Sequence, residues 1–140
     1  MSKDSCALLV SLVVLFASAS CYQMNYVPDG NTALAQLQLR SQDVYVYLFK
    51  YKHEKNNAHY RSAVQAEMKK LKCSVFYTEV DLENPKFASL VKGITADKIK
   101  ESEPEDRNPI VFFMKAGDGK YYHGPLAIEK FTVDFSKICN

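Results

Sequence analysis

Val44-Tyr45-Val46-Tyr47-Leu48-Phe49 is an unbroken run of β-branched, aromatic and aliphatic residues. It is too short for a typical helix and rich in the side chains that favour a pleated backbone, so Val44 to Lys50 reads as a buried strand. Two further runs have the same character, Val75 to Asp81 and Ile110 to Lys115. Between the first two runs the period changes. Tyr60, Val64, Met68 and Leu71, with Ala63, fall on one helical face, while Arg61, Glu67, Lys69 and Lys70 fall elsewhere. Lys69, Lys70 and Lys72 suit the negative end of a helix dipole. Strong strands alternating with helical patterns predict an α/β protein.

The weaker signals fill in the order. Tyr22 to Val27 reads as a short strand and Pro28-Asp29-Gly30 as a turn. Asn31 is placed to cap a helix running to about Arg40, with Leu34 and Leu37 inward. Asn56 or Asn57 is placed to cap the next helix. Asn84-Pro85 reads as an N-cap followed by proline at the first helical position. Phe87, Leu90 and Val91 form the inner face of that helix, and Gly93 is a candidate residue just past its end. The stretch 95–107 is charged, carries Glu101-Ser102-Glu103-Pro104-Glu105-Asp106, and reads as a surface insertion. Gly117-Asp118-Gly119 reads as a hairpin turn, Lys120 to His123 as the return strand, and Ile128 to Ile138 as a final helix. The expected element order is β-α-β-α-β-α-β-β-α.

The first residues read differently. Ala7 to Ala17 is an apolar run behind Lys3, and Ala17-Ser18-Ala19 has the small-x-small pattern of a cleavage site. Residues 1–20 are expected to be a secretory signal peptide, cut near 19–21, because the run is shorter than the roughly 20 residues of a membrane span. The remaining chain of about 120 residues is the size of one domain, expected over 21–140. No membrane span is expected after cleavage, and the C-terminus has no KDEL-type signal, so secretion or the endoplasmic-reticulum lumen is the expected location. A net charge of +2 gives no footprint for nucleic acid.

Of the four cysteines, Cys6 leaves with the leader and Cys21 stays only if cleavage precedes it. Cys73 and Cys139 remain, and the secretory route permits them to pair. There is no C-x-x-C and no zinc-type spacing, and His53, His59 and His123 form no ligand motif, so no metal and no cofactor are expected.

The order of elements, the spacing to Asp81-Leu82-Glu83-Asn84-Pro85, and Pro109 opening a strand that ends in a glycine-containing hairpin resemble the thioredoxin superfamily. The resemblance covers essentially the whole chain after the leader. It implies a thioredoxin-like fold, a cis bond at Asn108-Pro109, and helices carrying Cys73 and Cys139 down the same side of the sheet. It also locates a departure. Where thioredoxins carry W-C-G-P-C, this chain has Lys52-His53-Glu54-Lys55-Asn56, with His53 and Asn56 at the cysteine positions. Tyr47 stands at the position of the family's buried aspartate. Disulfide exchange needs an attacking thiolate and a resolving thiol. Neither histidine nor asparagine supplies one. The pattern is similar to the non-catalytic thioredoxin-like domains of some endoplasmic-reticulum chaperones.

The expected function is therefore protein or extended-peptide binding without disulfide oxidoreductase activity. The expected surface is the groove beside Asn108 and Pro109, framed by Lys52 to Asn57, which includes the former active-site positions His53, Glu54, Lys55 and Asn56, and by the 95–107 insertion. Lys50, Lys52, Lys55 and Arg61 form a candidate basic patch there, opposed by Glu54. The alternative is a divergent thiol–disulfide oxidoreductase or isomerase working through Cys73, Cys139 or Cys21.

Overall fold

A strand with no polar face has to lie inside a sheet that is covered on both sides. In the computed structural model, which describes residues 22–95 and 109–139, the run Val44–Phe49 is buried throughout and sits at the centre of the sheet. The described elements are β1 (Tyr22–Met24), α1 (Gly30–Gln38), β2 (Val44–Lys50), α2 (Asn57–Lys70), β3 (Val75–Asp81), α3 (Ala88–Thr95), β4 (Ile110–Lys115), β5 (Asp118–His123) and α4 (Ala127–Phe135). A 3-10 turn, Pro85–Phe87, leads into α3. The five strands form one mixed sheet in the order β1-β3-β2-β4-β5. β3 runs parallel to β1 and β2, β4 runs antiparallel to β2, and β5 runs antiparallel to β4. The expected α/β class and element order are found. The expected leader over 1–20, Cys21, Asn108 with its peptide bond to Pro109, and all but the first residue of the 95–107 insertion lie outside the described residues.

The two-residue period of β2 divides its side chains between two cores. Val44, Val46 and Leu48 meet Val64 and Met68 of α2 and Phe131 and Phe135 of α4. Tyr45, Tyr47 and Phe49 meet Ala33 and Leu37 of α1 and Leu90 of α3. Helices thus cover both faces. Phe113 of β4 packs edge-on to both Phe131 and Phe135, with ring centroids 5.8 and 5.3 Å away. Each such fully buried ring contributes about 2–3 kcal/mol by leaving water.

Several boundaries differ from expectation, each for a local reason. The α1 cap is Asp29, whose side chain accepts from the Thr32 amide at 2.7 Å, so the helix starts at Gly30 ahead of Asn31. β1 ends at Met24, although the Asn25 amide still donates to the Tyr77 carbonyl at 2.7 Å. Gly93 lies inside α3, which continues to a buried Thr95 whose hydroxyl donates to the Val91 carbonyl. Thr95 therefore belongs to the helix and not to the insertion. The hairpin turn starts one residue earlier and ends two residues earlier than expected. Ala116 and Gly117 both have positive φ, 54° and 84°, which gives the turn the twist that antiparallel strands need. Asp118 and Gly119 consequently join β5. α4 stops at Phe135, with Ile138 following in a turn yet packed against the same core.

Cys73, in the loop after α2, and Cys139, in the turn after α4, form a disulfide with Cα atoms 6.0 Å apart. Both helices lie on one face of the sheet, which brings their ends together.

Candidate functional site

The site is the end of the sheet where β2 and β3 finish, a common ligand position in open α/β sheets. After β2 the chain folds back through a tight turn. The Glu54 amide donates to the Tyr51 carbonyl at 3.1 Å and the Asn57 amide to the Glu54 carbonyl at 3.2 Å. Asn56 occupies the cap position of α2 but makes no capping hydrogen bond. Its backbone amide instead donates to the Glu54 carboxylate at 3.2 Å, and Asn57 Nδ2 donates to the Tyr51 carbonyl at 2.7 Å. The side chains of both candidate caps are thus not used as caps. Lys52, His53, Lys55 and Asn56 are exposed, and Glu54 is half-buried.

Pro109 stands beside this turn. The register pairs Phe49 with Ile110, which sets Lys50 next to Pro109. Pro109 is buried, and its carbonyl accepts from the Gly124 amide at 3.1 Å. It shapes the wall by its backbone more than by an exposed ring.

The basic patch is organised by a residue that sequence reasoning missed. Glu79, near the end of β3, accepts two hydrogen bonds from Arg61 at 2.5 and 2.8 Å and one from the Tyr77 hydroxyl at 2.9 Å. Lys50 Nζ lies 3.5 Å from the same carboxylate. Glu79, and not Glu54 alone, opposes the patch. Burial pushes its carboxyl pKa up, but the hydrogen bonds from Arg61 and Tyr77 and the charges of Arg61 and Lys50 outweigh this and hold it below 4.5. Burial and the adjacent carboxylate both push the Tyr77 phenol far up. Lys50 and Arg61 are therefore already engaged, and the outward-facing charge of the patch reduces to Lys52 and Lys55. One signal in the sequence pointed here: Glu79 is a charge flanked by Thr78 and Val80 inside β3, and a charge inside an interior strand needs a partner. The 18-residue gap to Arg61 hid which one. A cavity of about 400 Å³ opens beside the pair, lined by Tyr26, Arg61, Gln65, Thr78 and Glu79 among others.

Tyr47 lies under the other face of the sheet, fully buried, and burial raises its phenol pKa to about 12. It is packed between Phe49 and Phe112, at centroid distances of 6.0 and 6.2 Å. Cys73 and Cys139 are bonded to each other. They belong to the opposite end of the sheet, because Cys73 precedes β3 whereas residues 51–57 follow β2, which runs parallel to it. Among the described residues no cysteine is free, and no three His, Cys, Asp or Glu side chains converge on a point where a metal would sit. No family model matches the sequence, and no curated protein matches it at a significant level.

Proposed function

We propose that this is a thioredoxin-like protein of the secretory pathway that binds an extended protein segment and performs no disulfide exchange. The observation that carries the reading is the sheet order β1-β3-β2-β4-β5, with a cysteine-free turn of exposed polar residues between β2 and α2, beside Pro109. That is the place where a thioredoxin-like frame would hold its redox pair. The one described pair of cysteines is bonded at the other end of the sheet, which favours binding over thiol chemistry. An extended peptide would lie along the turn by backbone hydrogen bonds, and Lys52 and Lys55 would favour acidic side chains in it.

The test is an acidic peptide panel titrated against the wild type and the double variant Lys52→Glu/Lys55→Glu, alongside an insulin-reduction assay. Lys50 and Arg61 are left intact because they hold Glu79. The expected result is binding that weakens on charge reversal, with no insulin turnover. Equal affinity in the variant would remove this surface, and turnover abolished by Cys73→Ser would favour the oxidoreductase alternative.

A further inference from the structure

We propose that the groove between α1, α3 and the β4–β5 hairpin is a binding site for a small amphipathic carboxylate, such as a medium-chain fatty acid, with Arg40 as its anion anchor. The site lies by the far end of β4 from Pro109 and does not depend on the peptide-binding reading. The cavity has a volume of about 540 Å³, within the roughly 300–1,000 Å³ of small-molecule sites. Its apolar walls are Leu34, Leu37, Ile94, Phe112 and Met114, and Gln38 also lines it. Among the described residues Arg40 is the one lining side chain that carries a charge, and none of the described lining residues is acidic. Among the described residues Arg40 has no ion-pair partner.

The backbone at Arg40 is unusual. It follows the last turn of α1, donates its amide to the Leu37 carbonyl at 3.3 Å, and has φ 53°. Helices commonly end in this left-handed conformation, but with glycine there, because an L side chain is disfavoured. The side chain is held in return by the hairpin. A Cβ at Gly117 would stand 2.9 Å from Arg40 Cγ and 3.0 Å from Cδ, so the bare Gly117 backbone is what admits the arginine stem. The guanidinium is thereby kept at the rim of an apolar trough. A carboxylate with a hydrocarbon tail matches both parts: two parallel N–H···O bonds at the head and displaced water along the tail.

The experiment is calorimetric titration of the protein with dodecanoate below its micelle concentration, and with dodecanol as the uncharged analogue. Arg40→Gly is the variant of choice, since glycine suits the left-handed position and the melting temperature should hold or rise. One saturable dodecanoate site is expected, weakened at least about tenfold both in Arg40→Gly and for dodecanol. Absence of saturable binding would overturn the proposal, as would dodecanol binding as tightly as dodecanoate, or Arg40→Gly binding as tightly as the wild type. A concentration-dependent dimer that dodecanoate does not dissociate would also overturn it, assigning the groove to a second copy.

Discussion

Replacing both Cys73 and Cys139 by serine removes a cross-link that spans 66 residues of sequence. Closing a loop of that length removes denatured-state entropy equivalent to about 4 kcal/mol at 25 °C. For a domain of this size each kilocalorie moves the melting temperature by about 4 °C, so the double variant should melt roughly 15 °C lower. The native contacts should survive the change. Cys73 and Cys139 are half-buried against a core whose apolar members, Val64, Met68, Phe131 and Phe135, are untouched. The loss therefore comes from a freer unfolded chain. This adds a second, independent signature: the denaturant m-value should rise, because an uncross-linked chain exposes more surface on unfolding. The measurement is guanidinium unfolding of wild type and double variant under non-reducing conditions, with hydrogen exchange in parallel. Fraying of the chain end alone would appear as lost protection at the Lys137 and Ile138 amides, which donate to Asp134 and Phe135 at 3.2 and 3.1 Å, with little global change. A double variant within about 1 kcal/mol of wild type and with the same m-value would refute the closed-loop reasoning.

Glu79→Gln should lower stability by about 1–2 kcal/mol at neutral pH, a figure discounted because Arg61 is 45% exposed and its pairing is partly screened by water. Since the folded pKa of Glu79 lies below its unfolded value of 4.5, its contribution is present above that pH and disappears as pH falls through the folded pKa. The gap between wild type and Glu79→Gln in urea melts should close on acidification below 4.5, and a gap that widens would contradict the pairing. Tyr77→Phe, which removes a hydrogen bond to that carboxylate, should cost about 2 kcal/mol, whereas Tyr47→Phe should change stability by less than about 1 kcal/mol. Equal losses in chemical denaturation would contradict that ordering. Gly30→Ala should destabilise by about 1–3 kcal/mol, because its Cβ would stand 2.9 Å from the Leu90 amide nitrogen where α1 meets α3. Wild-type stability in that variant would mean the two helices yield there.

Much of the architecture was legible because it rests on short-range regularities. β2, β3 and β4 begin and end where the runs Val44–Lys50, Val75–Asp81 and Ile110–Lys115 do. Tyr60, Val64, Met68 and Leu71 all turn inward at helical spacing, and Asn84 accepts from the Lys86 amide at 3.0 Å as a cap before proline should. The errors fell where two local solutions compete. Asp29 and Asn31 are both good caps, and the hairpin offered either Ala116-Gly117 or Gly117-Asp118-Gly119 for its turn. The register of β4 against β5 decided the second of these, and a register is not a local property.

By itself the sequence determined the element types, their order and which residues are apolar enough to form the core, because hydrophobic period and capping chemistry act over a few residues. Tertiary structure decided which charges are free. Lys50, Lys52, Lys55 and Arg61 look alike along the chain, yet pairing β2 with β3 and packing α2 over them delivers Glu79 to Lys50 and Arg61 while Lys52 and Lys55 stay in water. The same folding brings Arg40 against Gly117 and joins Cys73 to Cys139. Each of these contacts links residues far apart in the chain, so it exists only once the sheet has assembled.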